Sequence, residues 1–361
     1  MGSKKVLRKL LNVKYPIIQA PMLGVTSPEM VAAATHSGIL GSLPIGGVAV
    51  DKANLLIEKT KTLTANKPFA VNLFAHSLPN PFPSDGAIEQ VENWIGKSLH
   101  TGDLAYRHTS MLDRLNKADS YTTYEQQIDL LLHHDVKIVS FTFGIPSDAV
   151  IERLRRNNVL LIGTCTSLEE ALALEEKGIR VIVAQSAEAG GHRGSFIKDV
   201  YPEIGALALL PCLSDNLKRE TSIVASGGIF DARTTNACFL LGASGVQLGS
   251  LFIGSHESLA IPSYKESLAH AKQSDIVTTD AYSGRYARGI NNQFIKDFAH
   301  SEMKALPYPV QNSLTTPLRS LSQKENNNNF TNMWAGQSCR NSPINQPTSV
   351  IIKNLIDKLG W

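Results

Sequence analysis

Short apolar runs alternate with amphipathic helical patterns along most of this chain. Eight of the apolar runs have the length and composition of strands in a buried sheet. They are Ile17–Ala20, Leu40–Leu43, Phe69–Leu73, Ile138–Phe141, Leu160–Thr164, Val181–Ala184, Ile223–Ser226 and Gly245–Leu248. Because helical patterns separate most of these runs, we expect parallel strands joined by right-handed βαβ crossovers.

The helical segments carry apolar residues at spacings of three and four. We predict helices over Lys52–Thr64, Thr123–His134 and Ser147–Arg156, an N-cap at Ser27, and a capping box of Ser167 with Glu170. Eight βα units fit an α/β fold of the (β/α)₈ TIM-barrel type, which has about 250 core residues. A doubly wound open sheet is the alternative.

Two segments do not follow the alternation. Residues 76–122 contain a Pro-rich loop-like stretch, and residues 256–340 contain a run of asparagines. We therefore predict that residues 1–255 form the barrel, with 76–122 as an insertion. Residues 256–340 would add a lid or subdomain on the substrate side, and residues 341–361 would return to the barrel as a C-terminal helix.

Composition narrows the functional classes. The chain has 361 residues, 43% of them hydrophobic and 19% charged, which is typical of globular proteins. Its net charge of +3 argues against a dedicated nucleic-acid binder. No apolar run approaches the roughly 18 residues of a membrane span, and the N-terminus lacks the apolar core of a secretory signal.

The cysteines are widely spaced, and none stands in a CxxC pair. They are Cys165, Cys212, Cys238 and Cys339. This pattern predicts lone thiols in a reducing, cytoplasmic setting and argues against a zinc site. The histidines show no metal-ligand spacing either, so we expect no metal.

Candidate chemistry follows the ends of the predicted strands, because barrel sites form at that face. Gly227 and Gly228 follow the seventh strand, while Gly249 and Ser250 follow the eighth and lead into a short helix. Backbone N–H groups at such turns bind phosphate, so the pair of turns predicts a phosphate site. The alternative is that the glycines form tight turns only.

A second group follows the sixth strand, where Gly190 and Gly191 precede His192. The glycines would let the chain approach a flat ligand, and the histidine could exchange a proton near neutral pH. The amides of Asn72 and Gln185 suit the edge of a heteroaromatic ring. Alternatively, the histidine faces solvent or a neighbouring carbonyl, and the amides tie down loops.

Several stretches resemble the nitronate monooxygenase family, formerly called 2-nitropropane dioxygenases. They are PIIQAPMLGVTSPEMVAAAT, VNLF, AQSAEAGGHRGSF and IVASGGIFDARTTNACFLLGASGVQLGS. The later stretches SGRYARGINNQF and MWAGQSCR resemble its bacterial class I members. The similarity runs from about residue 10 to residue 340.

This resemblance implies a TIM barrel that binds FMN noncovalently. It implies oxidation of alkyl nitronates, such as propionate 3-nitronate, by O₂ to a carbonyl compound and nitrite through a flavin semiquinone. It also implies a monomer or homodimer whose partners are the nitronate and O₂, without nucleic acid or membrane. His192 matches the family's histidine beside the flavin. The residues implied to bind FMN are Ala20, Pro21, Met22, Asn72, Gln185, Gly190, Gly191, Gly227, Gly228, Gln247, Leu248, Gly249 and Ser250.

One position departs from the family pattern. Many class I relatives carry a histidine in an SFHFG stretch, whereas this chain has Thr142 in SFTFG. A threonine hydroxyl cannot act as a general base near pH 7. We therefore expect nitronates to be substrates and neutral nitroalkanes to turn over poorly, unless His192 removes their proton.

Two other functions remain open on the same residues. One is an FMN-dependent NAD(P)H:quinone or enoyl-thioester reductase on the same barrel. The other is a flavin-binding protein that has lost catalysis.

Tyrosines in the C-terminal region are candidates for the substrate pocket. They are Tyr282, Tyr286 and Tyr308. Arg285, Arg288 and Lys304 lie near them in the chain, so the segment could attract a small anion over the flavin. Ordinary packing and surface charge are the alternative.

Overall fold

The computed structural model describes residues 2–100, 123–197 and 202–361, so residues 101–122 of the predicted insertion lie outside the described residues. The strands of the described chain are β1 (Ile17–Gln19), β2 (Ser42–Pro44), β3 (Ala70–Phe74), β4 (Ile138–Thr142), β5 (Leu160–Cys165), β6 (Val181–Gln185), β7 (Gly191–His192), β8 (Ser222–Ser226), β9 (Gly245–Leu248), β10 (Ile276–Thr279) and β11 (Ala287–Ile290). Eight of them form one parallel sheet in the order β1-β9-β8-β6-β5-β4-β3-β2.

Backbone hydrogen bonds close this sheet on itself. The Gln19 N–H donates to the Leu40 carbonyl at 2.8 Å, and the Leu40 N–H donates to the Ile17 carbonyl at 2.9 Å. The predicted (β/α)₈ barrel is therefore confirmed, and the open-sheet alternative is wrong. Leu40 lies just outside β2, because it bridges to β1 instead of pairing with β3.

The helices of the described chain are α1 (Gly2–Leu11), α2 (Pro28–His36), α3 (Val50–Leu63), α4 (Asp85–His100), α5 (Tyr124–His133), α6 (Asp148–Arg156), α7 (Leu168–Glu176), α8 (Ala206–Asn216), α9 (Ala232–Leu240), α10 (Ser250–Ile253), α11 (Pro262–His270), α12 (Gln293–His300), α13 (Val310–Lys324) and α14 (Thr348–Leu359). Short 3₁₀ helices cover Gln273–Asp275 and Cys339–Asn341. The predicted helices at α3, α5 and α6 are confirmed, with ends that differ by at most two residues.

The start of α7 differs from the predicted capping box. Ser167 Oγ accepts a hydrogen bond from the Glu170 N–H at 3.4 Å, so the N-cap is present. The Glu170 carboxylate, however, accepts from the N–H groups of Thr166 at 2.7 Å and Phe196 at 2.6 Å. The acid therefore anchors the loop after β7 instead of completing the box.

The amino end of the barrel is closed by α1. Its Leu7 and Leu11 are fully buried against inward-facing side chains such as Ile18, Ile138 and Val181. An apolar plug at this end leaves the carboxyl ends of the strands as the open face, where barrel sites form.

A second core lies above that open face. It joins α4 to α12 and α13 through buried residues that include Ile88, Val91, Phe294, Leu314 and Leu318. We call residues 276–338 the lid segment. The predicted division of the chain at residues 255 and 340 stays a prediction, and α11 packs into the main core through Tyr264 and Leu268.

A small antiparallel sheet, which the sequence did not predict, connects the lid segment to the barrel. It has the order β10-β11-β7, and His192 pairs with Ala287 across it. The loop after β6 is therefore held by the lid segment as well as by the barrel.

Candidate active site

The carboxyl ends of the barrel strands and the lid segment enclose a cavity of about 660 Å³. Most predicted site residues line it, because parallel strands bring their carboxyl ends to one face. These lining residues are Ala20, Pro21, Met22, Asn72, Thr142, Gln185, Gly190, Gly191, His192, Gly227, Gly228, Gln247, Gly249, Ser250 and Tyr308. Leu248 is the exception among the residues predicted to bind FMN: its side chain is 1% exposed and lies in the core, since strand alternation turns Gln247 to the cavity.

The glycine turns after β8 and β9 offer backbone donors to this cavity. Gly227 and Gly228 have φ angles of +114° and +71°, which residues with a Cβ rarely adopt. Among the described residues, no acceptor pairs with the N–H of Gly228 or of Ser250, and both residues line the cavity. Two unpaired donors at neighbouring strand ends fit a phosphate group.

The two predicted side-chain amides are largely engaged with protein. Gln185 Nε2 donates to the His192 carbonyl at 2.8 Å, and its Oε1 accepts from the Gly194 N–H at 2.8 Å. Gln185 thus ties down the loop that carries the histidine. Asn72 Nδ2 donates to Thr142 Oγ1 at 3.2 Å, which leaves Asn72 Oδ1 for a ligand and gives Thr142 a positioning contact.

The glycine pair before His192 serves two different purposes. Gly191 has φ +75° and open space where a Cβ would stand, as expected of a residue beside a ligand. A Cβ on Gly190 would lie 2.4 Å from backbone atoms of Ala335 and Gly336. Gly190 is therefore required by close packing against the lid segment.

His192 is held by contacts on several sides. Its Nε2 lies 2.8 Å from Ser283 Oγ. Its ring lies 5.5 Å from Phe143, 5.4 Å from Trp334 and 6.4 Å from Tyr308, measured between centroids. The surrounding aromatic rings leave the imidazole little rotational freedom.

Burial, together with the positive charges of Arg285 and Arg319, lowers the pKa of His192 to about 3. The ring is therefore neutral at pH 7. A neutral imidazole has one N–H donor and one free lone pair, so its tautomer determines what it offers a ligand.

Arg319 lines the cavity without a carboxylate partner. Its Nη2 donates to the carbonyl and Oδ1 of Asn312 at 2.8 and 2.9 Å and to Thr316 Oγ1 at 2.8 Å. No carboxylate within the described residues lies within 4.0 Å of its guanidinium. Burial lowers the pKa of Arg319 to about 10, which keeps it charged at pH 7. Such a cation favours an anionic ligand.

Arg285 adds a second positive charge beyond the aromatic wall. Its guanidinium lies 4.3 Å from the Phe143 ring centroid and donates to the Ser195 carbonyl. It borders a neighbouring cavity of about 590 Å³ that shares His76, Phe143 and Tyr308 with the main one.

The prediction for the tyrosines is wrong at Tyr282. That side chain is 0% exposed, stacks on Phe294 at 4.6 Å and hydrogen-bonds Asn292, so it belongs to the lid core. Tyr286 is 41% exposed and borders the neighbouring cavity. Tyr308 alone of the three lines the main cavity, and burial raises its pKa to about 12.

The other cations proposed for the lid segment lie elsewhere. Arg288 Nε donates to the Ala187 carbonyl at 2.8 Å, and its guanidinium lies 3.7 Å from Glu203. Lys304 is exposed. Neither lines the cavity.

Sequence reasoning missed four cavity or supporting residues: His76, Ser283, Arg319 and Trp334. His76 lies 4.7 Å from the Tyr308 ring, and burial lowers its pKa to about 4. A signal existed for Arg319, since polar residues recur along one face of α13 at positions 312, 316, 319 and 323. Ser283 and Trp334 lie within the stretches SGRYARGINNQF and MWAGQSCR that carry the family resemblance, whereas no signal existed for His76.

The described residues show two further features. None of their helices is long and apolar enough to cross a membrane. Within the same ranges, no group of three or more His, Cys, Asp or Glu side chains is placed to hold a metal ion.

Comparison with known proteins places these features in context. The model of the nitronate monooxygenase family matches residues 4–359. A probable nitronate monooxygenase of Staphylococcus aureus strain MSSA476 is 37% identical over 363 residues, covering 100% of this chain and 98% of that protein. A nitroalkane oxidase from Streptomyces ansochromogenes superposes with a TM-score of 0.82 at 31% identity over 98% of both chains. FabK from Thermotoga maritima shares the fold, with a TM-score of 0.74 at 24% identity over 98% of this chain and 95% of that one.

Proposed function

Because the chain belongs to the nitronate monooxygenase family of oxidoreductases, we propose that it oxidises alkyl nitronates with O₂ to a carbonyl compound and nitrite, using noncovalently bound FMN. One observation carries the proposal. A single cavity brings together unpaired backbone donors, a neutral histidine and an arginine without a carboxylate partner among the described residues.

The barrel side of the cavity supports FMN. The N–H groups of Gly228 and Ser250 would hold the phosphate, and the backbone from Ala20 to Met22 with Gly191 would lie along the flavin ring. Asn72 Oδ1 would accept a hydrogen bond from the ring or the ribityl chain. FMN, when bound, supplies the redox chemistry that takes electrons from the substrate and passes them to O₂.

The lid side supports an anionic substrate. Arg319 and, beyond Phe143, Arg285 make the cavity positive, which favours a nitronate over its neutral conjugate acid. A nitronate has no proton to lose before it is oxidised. A neutral nitroalkane must first transfer its α-proton, and Thr142, which accepts a hydrogen bond from Asn72, cannot receive it.

The test uses purified protein with ethyl nitronate, propionate 3-nitronate and nitroethane, followed by O₂ uptake and nitrite release. We expect both nitronates to be oxidised faster than nitroethane, and the flavin released on heating to be FMN. Equal rates with ethyl nitronate and nitroethane would contradict the nitronate preference. Flavin reduction by NADH without nitrite release from any nitronate would favour the reductase alternative.

Location is a further part of the proposal. All four cysteines are free, and three of them are buried, which supports a reducing, cytoplasmic setting.

A further inference from the structure

Ser283 Oγ has three hydrogen-bonding neighbours. It lies 2.8 Å from His192 Nε2 and 3.0 Å from the Arg285 carbonyl oxygen, and it accepts from the Arg285 N–H at 3.3 Å. The side chain is 1% exposed, so water does not supply alternatives. A hydroxyl has one proton and two lone pairs, and that proton can serve only one of the two acceptors.

The Ser283 hydroxyl proton can therefore go either to the Arg285 carbonyl or to His192 Nε2, and the count of paired donors and acceptors differs between these two arrangements. If the hydroxyl proton goes to the Arg285 carbonyl, Oγ accepts from both the Arg285 N–H and a protonated His192 Nε2, and all four groups are paired. If it goes to His192 Nε2, the Arg285 carbonyl has no other donor within the described residues. The Arg285 carbonyl is part-buried, and losing its protein donor is unfavourable, so the first arrangement prevails.

The other ring nitrogen then faces the ligand space. His192 Nδ1 has no hydrogen-bond partner among the described residues, and the ring lines the cavity. We propose that Ser283 is a positioning residue that holds His192 in the Nε2–H tautomer, so that Nδ1 presents its lone pair to the cavity as the proton acceptor.

The consequence for substrates rests on the proposed function. With a neutral nitroalkane, the α-C–H bond breaks, its electron pair remains in the nitronate that forms, and the proton moves to Nδ1. The resulting imidazolium keeps its Nε2–H bond to Ser283. The charges of Arg285 and Arg319 oppose this imidazolium, which explains why nitroalkanes should react more slowly than nitronates. A nitronate supplied directly bypasses the step.

The direct test reads the tautomer and requires no turnover. We would label the oxidised, FMN-loaded enzyme with ¹⁵N-histidine and record two-bond ¹H–¹⁵N correlations, assigning His192 by the signal lost in His192→Asn. We expect protonated Nε2 and unprotonated Nδ1 in the wild type, and a gain of the Nδ1–H form in Ser283→Ala. Protonated Nδ1 in the wild type would overturn the proposal, as would an unchanged tautomer in Ser283→Ala.

The kinetic test compares two substrates. We expect Ser283→Ala to lower kcat for nitroethane by about 10-fold or more while kcat/KM for ethyl nitronate stays within about twofold. Ser283→Thr, which keeps a hydroxyl, should restore nitroethane turnover. An equal loss with both substrates would mean that Ser283 only supports the fold and would overturn the proposal.

A matched control is available in the lid segment. Ser301 Oγ also donates to a carbonyl, that of Phe298 at 2.7 Å, and accepts from the N–H two residues on, that of Met303 at 3.2 Å. Ser301→Ala should leave both substrates and the tautomer unchanged. If the wild type oxidises neither substrate, the proposed function fails, while the NMR result still decides the tautomer.

Discussion

The two walls of the cavity are built in different ways. The barrel wall offers mostly backbone: the unpaired N–H groups of Gly228 and Ser250 and the open approach at Gly191. The lid wall offers side chains, with Tyr308 and Arg319 at the cavity and Ser283 behind the histidine. A backbone cradle suits a cofactor that many barrels share, whereas the lid wall sets the charge and proton state that select a reaction.

His192 belongs to both walls. Gln185 holds its carbonyl from the barrel side, and Ser283 holds its ring from the lid side. Among the described lining residues, Arg319 is the one lysine or arginine at the main cavity. The positive charge near His192 therefore comes from the lid wall, and the two walls can be tested separately.

The largest effect should come from the residue that joins the walls. His192→Asn removes the proposed proton acceptor, so kcat/KM for nitroethane should fall by about 100-fold or more. The loss with ethyl nitronate should be far smaller, because no proton moves. His36→Asn, at an exposed histidine of α2, serves as the control. Equal losses with both substrates would mean that His192 orients the substrate and does not accept a proton.

On the barrel wall, Gly227→Ala should disturb the turn that we propose holds the FMN phosphate. The new Cβ would lie 2.4 Å from Ser186 Oγ at a backbone with φ +114°. We expect the free energy of unfolding to fall by about 2 kcal/mol, with less FMN bound per protein. Flavin absorbance measures the FMN bound per protein, and urea unfolding measures the free energy of unfolding. Gly360→Ala has a positive φ but open space around it, so its flavin content should not change.

On the lid wall, Arg319→Gln should weaken binding of the anionic substrate. We expect KM for ethyl nitronate to rise by about 10-fold, which corresponds to about 1.4 kcal/mol. Loss of this cation should also raise the pKa of His192, moving the acid limb of the nitroethane kcat/KM profile to higher pH. The exposed Arg233→Gln is the matched control. A rise in KM that is equal for a neutral nitroalkane would argue against charge recognition.

The smallest effect concerns His76, which lies between the two cavities. Burial lowers the pKa of His76 from 6.5 to about 4, so the unfolded chain takes up a proton at this site before the folded one does. Stability should therefore fall as pH drops from about 6.5 toward 4. His76→Gln removes this contribution, and urea unfolding at pH 7 and pH 5.5 should show a pH-dependent loss about 1 kcal/mol smaller than in the wild type. His36→Gln should retain the wild-type loss.

The barrel wall was largely predictable, because its determinants are local in the chain. Apolar runs of strand length predicted the eight barrel strands, and glycines directly after them marked the turns that line the cavity. Among the predicted residues of the barrel wall, only Leu248 lies away from the cavity, because strand alternation places its side chain in the core and that of Gln247 at the cavity.

The lid wall depends on contacts between distant residues. Tyr282, Tyr286 and Tyr308 carry the same phenol, yet packing buries the first, exposes the second and turns the third to the cavity. Sequence similarity to a known family predicted His192 beside a ligand, but 91 residues separate it from the serine that holds its ring.

By itself, the sequence determined the barrel, the backbone turns at its rim and the histidine beside them, since these follow from periodicity, glycine positions and a family pattern. Tertiary structure alone decided the charge and proton state of that histidine. Burial, nearby cations and hydrogen-bond partners set both, and these arise only when the lid segment folds over the barrel.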